Sequence, residues 1–475
     1  MRRERALLWG AIGAWIAGFS ALSILRQDAF NSGRFDMGNM VQAVWATAHG
    51  HPLEVTSLQG FQISRLASHT DAILVVFAPL WWLWPSPEML LTAQAIAVAL
   101  GAVPVFWLGR KHVGSGRAGL GFALAYLLYP ATGWLTLNEF HPVALACPLL
   151  LFAFWYLDEE RWLRFALFAA AAATTKEEIP LVLAGFGVWY AISRRRWFVG
   201  GAIAAAGVAL AAIAVEVVVP HFNGAASNFY VRYEQVGGSP GGVFKTAFTH
   251  PLRLVEKIAS VRGLRYLGEL FVPLGGLWLL APVALIAALP EVALNLLSRV
   301  TTQQSIHFHY TAGLIPALFV ASVLGAGRLA ERRSRFAARI GPAAVVLALA
   351  ANYYLGPIPL WRDLPGGSRF QTTYTHITDH DRVAARAVAM IPPHAVVSTT
   401  NTLGAHLSAR RRVLSFPLLA DATWVAADET QSSYLDRISP LPSANDLVNL
   451  RRNPDWKLVF EEDGILVFKR ISTRA

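Results

Sequence analysis

The 475-residue sequence is poor in charged residues and in cysteine, and each shortage excludes a class of protein. Charged residues make up 15% of the chain and hydrophobic residues 55%, whereas an average soluble domain carries about 25% charged residues. Too few charged side chains remain to cover a water-facing surface, which excludes a soluble enzyme, a coiled coil and a disordered chain. The single cysteine, Cys147, excludes an internal disulfide.

Long apolar runs take the place of the missing charges. A helix needs about 20 apolar residues to cross a bilayer, and the repeated runs of this chain predict such helices. The runs are continuous rather than alternating, which disfavours an outer-membrane barrel. The first run, from Ala6 to Leu25, has no small-residue cleavage site after it, and we interpret it as an uncleaved span.

The formal charge of +11 is distributed in a way that predicts topology. Basic residues gather in short clusters between apolar runs, as they do in cytoplasmic loops, and this distribution disfavours a nucleic-acid partner. Clusters alternate with turns that carry almost no basic residues, which places the amino terminus in the cytoplasm. The clusters are Arg2, Arg3 and Arg5; Arg110, Lys111 and Arg117; Arg161 and Arg164; Arg194, Arg195 and Arg196; and Arg328, Arg332, Arg333, Arg335 and Arg339.

The pattern predicts an α-helical polytopic membrane domain of about 11 transmembrane helices over residues 1–357. Segment 267–298 is interrupted by Pro273, Pro282 and Pro290; two short spans satisfy the alternation, and a re-entrant pair is the other interpretation. The spans are predicted near 6–26, 88–109, 118–134, 142–157, 162–175, 179–192, 197–219, 267–280, 282–298, 310–327 and 340–356.

Three stretches are predicted to lie outside the membrane on the extracytoplasmic side. The first outer loop, 27–87, has two short helical pieces, and the tryptophan-rich second piece is expected in the interface. The second outer loop is 220–266. Residues 358–475 predict a small soluble α/β domain, with a helix at 379–390, strands at 395–399 and 412–416, and a hairpin over 456–470 that turns at Asp463-Gly464.

The predicted topology brings many ionisable residues to the same outer face. Such groups are costly beside apolar segments, so their accumulation on one side indicates a functional site. The other interpretation is that polar residues are simply tolerated where helices end. The set comprises Asp36, His69, Asp71, Glu139, His141, Lys176, Glu177, Glu178, His307, His309 and Tyr310.

Three members of this set, all in the first outer loop, admit chemical and structural roles. Asp36 opens the first helical piece, either as a reactive carboxylate or as a helix N-cap, and both roles are compatible. His69 and Asp71 are two residues apart, a weak metal signal. A divalent metal is therefore one role for this pair, and capping of the following helix is the favoured one.

The later turns supply candidates for binding an anion. Lys176 offers a compact ammonium to a phosphate, or else neutralises Glu177 and Glu178. His307 and His309 admit roles as metal ligands, phosphate donors or interfacial aromatics. Because the sequence has no phosphate-binding loop, hydrolase elbow, zinc spacing or dinucleotide fingerprint, any phosphate is expected to arrive on a membrane lipid.

Several short pieces together resemble one superfamily. They are Phe35-Asp36 after the first span, the long first outer loop, Asn138-Glu139-Phe140-His141-Pro142, Lys176-Glu177-Glu178, the Tyr310-to-Pro316 stretch and the outer carboxyl-terminal domain. With them the chain resembles the GT-C integral-membrane glycosyltransferases, in the branch of protein O-mannosyltransferases and lipid A aminoarabinose transferases. It resembles still more a bacterial group of predicted membrane proteins of unknown function. The predicted architecture is similar over most of the chain, whereas the motifs are similar only in these short pieces.

The resemblance implies an inverting glycosyltransferase of the bacterial plasma membrane that uses a polyprenyl-phosphate sugar. It implies an aspartate of the first outer loop as the base, a position that Asp36 matches. Many members carry a paired acidic motif there, whereas Met37 follows Asp36, so metal dependence and acceptor type (glycan, lipid or protein) stay open. The candidates for binding the donor are Lys176, His307, His309, Tyr310, Glu139, His141 and Arg65, with Arg34 and Arg232 as weaker ones.

Two other functions fit the same composition. A transporter or flippase of a lipid-linked glycan is expected to show inverted repeats with broken helices in matching halves, and only segment 267–298 is broken here. A non-catalytic envelope scaffold would use the outer domain to recruit partners, and its polar cluster would tolerate substitution.

Overall fold

The computed structural model describes residues 2–225, 228–368, 370, 372–431, 436 and 446–471. Its first 355 residues are mainly helical, and a small sheet domain follows. The helices of the first part are Arg2–Asp28, Asn39–Ala48, Ala78–Leu83, Pro87–Leu100, Ala102–Val113, Gly116–Leu128, Pro130–Leu137, Ala146–Asp158, Trp162–Ala173, Ile179–Arg194, Trp197–Ile213, Val219–Asn223, Pro240–Thr249, Pro251–Ile258, Val261–Phe271, Pro282–Leu285, Leu289–Leu297, Leu314–Arg332 and Ser334–Leu355.

Among these described residues, five helices have the length and composition to cross a membrane, and a pair bent by 48° raises the number to six. The pair is Gly116–Leu128 with Pro130–Leu137. Most of the other predicted spans fold as apolar helices of 10–17 residues, shorter than the roughly 20 residues that a perpendicular span needs. The predicted count of eleven is therefore not established by helix length.

Segment 267–298 is broken, as its prolines predict, and it reverses direction. After helix Val261–Phe271 the chain forms two short 3-10 turns, Val272–Leu274 and Leu277–Leu280, which are separated by Gly275 and Gly276 with φ angles of 62° and 72°. The carbonyl of Leu277 lies against Gly325, near the basic end of helix Leu314–Arg332. Pro282–Leu285 and Leu289–Leu297 then lead back toward the opposite end of that helix.

The helices are arranged around one central element. The stretch His309–Arg332 is 83% buried within its most apolar window, whereas the windows of Arg2–Asp28 and Trp197–Asn223 are each 22% buried. The peripheral helices therefore present apolar side chains outward, which is the arrangement expected of lipid-facing helices.

Close helix packing depends on glycines at the crossing points. Gly121 of helix Gly116–Leu128 lies against Gly341 of helix Ser334–Leu355, and a Cβ built on Gly121 would stand 2.5 Å from the Gly341 Cα. Only a residue without a side chain lets two backbones approach this closely.

We therefore expect Gly121→Val to push these two helices apart and to lower the free energy of unfolding by about 1–3 kcal/mol, the usual cost of overpacking. Thermal unfolding of the purified protein in detergent measures the change. Gly13→Val is the matched control, because nothing lies within 4 Å of a Cβ at Gly13. Equal melting temperatures for the two variants would contradict the expected packing.

The carboxyl-terminal domain contains a five-stranded sheet. Its strands lie in the spatial order Val413–Ser415, Val397–Thr399, Trp424–Asp428, Ile465–Arg470 and Trp456–Glu462. The first three strands are parallel, and the last two form an antiparallel hairpin.

Most elements of this domain occur where the sequence predicts them. The structure has both short strands, the helix Asp379–Ala389 and the hairpin with its turn at Asp463-Gly464. The central strand Trp424–Asp428 was not predicted. A second, two-stranded sheet of Glu54–Thr56 and Gln62–Ser64 was also missed; it lies in the first outer loop.

Candidate functional site

Asp36 lies on a single π-helical turn, Arg34–Gly38, that begins soon after the first helix ends. Such turns occur often at functional sites, because one residue is bulged out of the helical repeat. Asp36 is not an N-cap, since Gly33 and Gly38 occupy the positions before the π-turn and the following helix. Its neighbour Met37 is buried, whereas the Asp36 side chain is 52% exposed.

The Asp36 carboxylate borders a cavity of about 130 Å³, which we name the Asp36 cavity. Five separate stretches of the chain meet there: the first outer loop, residues 141–143, residues 175–176, the second outer loop at Arg232 and the segment before helix Leu314–Arg332. The residues around it are Phe35, Asp36, Met40, Arg65, His69, Asp71, His141, Pro142, Val143, Thr175, Lys176, Arg232, His309 and Tyr310. Most of the residues predicted from sequence therefore lie together.

His141 is the nearest basic group to the Asp36 carboxylate. Its Nε2 lies 3.6 Å from Asp36 Oδ1, and its Nδ1 lies 3.0 Å from the carbonyl oxygen of Asn138. Because a carbonyl only accepts, Nδ1 is a donor, and a ring that also carries a proton on Nε2 is a cation that attracts the Asp36 carboxylate. Nε2 has no hydrogen-bond partner among the described residues. The ring also stacks on His309, with centroids 3.8 Å apart.

This environment favours the ionised form of Asp36. Burial around the cavity opposes ionisation, but His141 outweighs that effect, with help from Arg65 and His69, and the pKa of Asp36 falls below its ordinary value. Asp36 is therefore a carboxylate at neutral pH, partly exposed and able to accept a proton.

Glu139 holds the Asp36 turn from behind and does not border the cavity. Its Oε2 accepts hydrogen bonds from the backbone N–H groups of Gly33, at 3.2 Å, and Met37, at 2.9 Å. Arg26 Nη2 lies 3.8 Å from its Oε1. Burial, followed by repulsion from Asp36, raises the pKa of Glu139. Its own backbone has a φ of 40°, a strained value of the kind that clusters at functional sites.

Gln94 fixes the turn that carries Glu139 and His141. This fully buried amide donates to the carbonyls of Thr136, at 2.9 Å, and Glu139, at 2.6 Å. Its Oε1 accepts from the backbone N–H of His141 at 2.9 Å. The sequence reasoning missed Gln94, although a polar residue inside the apolar run 88–109 was a signal that could have found it.

Lys176 supplies positive charge on another wall of the cavity. Its ammonium lies 2.6 Å from Glu178 Oε1 and 5.3 Å from the centroid of the Tyr310 ring. Burial opposes the charge, but Glu178 and Glu177 raise the pKa of Lys176 above its ordinary value. The side chain therefore keeps its charge in a confined space, as a phosphate-binding group must.

His69 and Asp71 have different partners. His69 Nδ1 lies 2.9 Å from Glu177 Oε1, and Asp71 Oδ2 accepts from Arg65 Nε at 2.9 Å. Asp71 precedes the 3-10 helix Ala72–Phe77 but makes no capping hydrogen bond. The favoured capping role is thus wrong, because the carboxylate pairs with Arg65. Within the described part of the chain, no group of three His, Cys, Asp or Glu side chains is arranged to hold a metal ion.

Besides Glu139, two further candidates do not border the cavity. His307 packs edge-on against the Trp134 ring, with centroids 4.5 Å apart, and contacts Ser305 Oγ at 2.9 Å. Arg34 is 1% exposed and points into the carboxyl-terminal domain. Arg232, only a weak candidate from sequence, borders the cavity.

The carboxyl-terminal domain supports the Asp36 turn through Arg34. The guanidinium donates to Ser415 Oγ at 2.7 Å, to the Val413 carbonyl at 2.6 Å and to the Thr56 carbonyl at 3.0 Å. Burial lowers the pKa of Arg34 to about 10, which still leaves it charged at neutral pH. Asn401 Oδ1 also accepts from the backbone N–H of Phe35 at 3.2 Å.

Residues 26–467 match the family described as "Predicted membrane protein (DUF2079)". The chain belongs to that family. No curated protein matches it. Among solved structures, the chain is similar to apo ArnT from Cupriavidus metallidurans, with a TM-score of 0.50 and 14% identity over 96% of this chain and 98% of that one.

The similarity to ArnT, a GT-C glycosyltransferase, supports the GT-C-like fold expected from the sequence. At 14% identity the similarity shows the fold. The roles of individual residues in this DUF2079 chain stay predictions.

We expect Arg34→Met to loosen the carboxyl-terminal domain from the Asp36 turn. Hydrogen bonds to a charged group contribute about 1.5–3 kcal/mol each, and three acceptors would lose their donor. Limited proteolysis of the purified protein should release the domain faster than from the wild type. Arg382→Met, at an exposed ion pair with Asp379, is the control; equal cleavage of both variants would refute the link.

Proposed function

We propose that this protein is an inverting glycosyltransferase that moves a sugar from a polyprenyl-phosphate donor to an extracytoplasmic acceptor, with Asp36 as the general base. The observation that carries the proposal is a partly exposed, ionised carboxylate in a cavity whose other walls carry Lys176, Arg65 and Arg232. An acid-base group and cations around one small space are what this displacement requires.

The proposed reaction is a single displacement. The acceptor hydroxyl oxygen attacks the anomeric carbon from the face opposite the lipid phosphate, and a new carbon–oxygen bond forms. The bond from that carbon to the phosphate oxygen breaks, and its electron pair leaves with the phosphate. The hydroxyl proton passes to Asp36, a step that typically contributes 10²–10⁴-fold to the rate, as general-base catalysis does.

The donor phosphate is assigned to the cationic side of the cavity. Lys176 keeps its charge there, and Arg65 and Arg232 border the same space. These groups would neutralise charge on the departing phosphate, and donors of this kind are most effective where water is excluded. His309, with Nδ1 lacking a partner among the described residues, offers the phosphate or the sugar a further polar contact.

His141 is assigned a positioning role. It stands beside Asp36 Oδ1 and is held in place by Asn138, Gln94 and the stacked His309. By stabilising the carboxylate, it keeps the base in its reactive form.

We expect Asp36→Asn to lower the rate of transfer by at least about 10²-fold, because the amide cannot accept the hydroxyl proton. The measurement is the set of envelope glycans in a deletion strain complemented with the wild type, Asp36→Asn or Asp379→Asn. Asp379 is a suitable control because its side chain is 95% exposed on the outer domain. Full restoration of a lost glycan by Asp36→Asn, at matched expression, would remove Asp36 as base and leave a transporter or scaffold as the better function.

The pH dependence tests the pairing of Asp36 with His141. In the wild type the pKa of Asp36 lies below its ordinary value of about 3.9, so activity should be lost only as pH falls through that depressed value. In His141→Gln, burial raises the pKa of Asp36 without the opposing effect of His141. The acidic limb of the pH–activity profile should therefore move to higher pH by about 1–3 units. Transfer measured against pH in proteoliposomes detects the shift. An acidic limb that stays in place or moves downward would show that His141 does not tune the base.

A further inference from the structure

Two adjoining cavities, of about 320 and 520 Å³, have no lining residue in common with the Asp36 cavity. They share Arg262, Thr301 and Gln304, and together we name them the basic groove. Its remaining residues are Arg253, Glu256, Lys257, Ser260, Arg265, Tyr266, Glu269, Ser298, Arg299, Thr302, Ser305, His307 and Phe308. His307 and Phe308 face the groove, whereas the next residues, His309 and Tyr310, border the Asp36 cavity.

Two neighbouring helices present one regular face each to the groove. Helix Pro251–Ile258 and the residues after it contribute Arg253, Glu256, Lys257 and Ser260. Helix Val261–Phe271 contributes Arg262, Arg265, Tyr266 and Glu269. Both sets have the spacing i, i+3, i+4 and i+7, which is one side of a helix. The groove is therefore built by the fold of two amphipathic helices.

The groove carries an excess of positive charge that the protein does not neutralise. Its basic side chains are Arg253, Lys257, Arg262, Arg265 and Arg299, and its acidic ones are Glu256 and Glu269. Arg265 pairs with Glu269 at 2.7 Å, and Arg299 pairs with Glu234 at 3.0 Å. In the described ranges, Arg253, Lys257 and Arg262 form no ion pair with an acid. An anion is the ligand that such a site selects.

The opposite faces of the same helices are apolar and exposed. Leu252 is 72% exposed and Val255 55%, while Val261 is 87% exposed and Leu264 56%. A helix with a basic face and an apolar face lies in the interface of a membrane, with its apolar side among the acyl chains. The basic groove is then at the level of the lipid headgroups.

From this combination we infer that the basic groove binds the phosphate of an anionic membrane lipid, with the acyl chains along the apolar faces of the two helices. The cations without acid partners fit a phosphate diester, and the exposed apolar side chains favour a lipid over a soluble anion. The site requires no transferase activity, so it stands or falls separately from the function of Asp36.

The test is binding of phosphatidylglycerol to the purified, delipidated full chain in an uncharged detergent, measured by native mass spectrometry. Each basic residue near a headgroup contributes about fivefold to affinity, so Arg253→Gln/Lys257→Gln/Arg262→Gln should bind on the order of 100-fold more weakly. Arg262→Gln alone, at the residue shared by both cavities, should weaken binding by about fivefold. The control Arg451→Gln/Arg452→Gln/Lys457→Gln removes the same charge from the outer domain and should bind as the wild type does.

Two results would overturn the inference. The first is a triple variant that keeps its melting temperature and binds phosphatidylglycerol as tightly as the wild type and the control. The second is displacement of the lipid by an equal concentration of glycerol 3-phosphate, which would identify the groove as a site for a soluble anion. Should the triple variant unfold, the single Arg262→Gln variant decides between the same outcomes.

Discussion

The turn that carries Asp36 is held from two sides, and the candidate site depends on this double attachment. Behind it, the Glu139 carboxylate accepts the backbone N–H groups of Gly33 and Met37. Beside it, Arg34 anchors the same turn to the outer sheet domain through Val413 and Ser415. A π-helical turn leaves backbone groups outside the regular hydrogen-bond ladder. Here the Glu139 carboxylate accepts from two backbone N–H groups, and the Arg34 guanidinium connects the turn to other parts of the chain. Asp36, the only acid of the turn Arg34–Gly38, borders the cavity.

Asp36, the proposed base, differs from the other charged residues around the cavity in how it is paired. Around the cavity, Lys176 pairs with Glu178, Arg65 with Asp71 and His69 with Glu177, all at hydrogen-bond distance. Buried charges need such partners, because water does not solvate them there. Asp36 departs from this pattern, since its nearest basic atom is 3.6 Å away and its side chain is half exposed. A carboxylate that is stabilised by a nearby basic group without forming a close ion pair remains available to a substrate.

The carboxyl-terminal domain contacts the turn that carries Asp36 rather than standing apart from the helical domain. The sequence left the domain's role open, since no residue within 358–475 suggested a function. In the structure, Asn401 and Ser415 reach the Asp36 turn directly. The contact also explains why Arg34 is not available to a phosphate: the side chain is buried, and its Nη1 and Nη2 groups donate within the protein.

Much of this protein follows from local sequence. Apolar runs and basic clusters indicate a polytopic membrane protein, because span length and charge placement are properties of short segments. Alternation and turn residues locate the hairpin at Asp463-Gly464 and two of the parallel strands for the same reason. The accumulation of Asp36, His141, Lys176 and His309 on one predicted face anticipated their meeting in one cavity.

Other properties were decided only by tertiary packing. Helix lengths within the bundle, the reversal of segment 267–298 at Leu277, and the separation of His307 from His309 depend on which surfaces meet. The same holds for the partners of Asp71 and Arg34, because the residue that satisfies a buried charge can come from any part of the chain. The local sequence pattern predicts which residues lie on the same face of the membrane domain as the candidate site. Packing determines which of them are neutralised and which remain exposed to react.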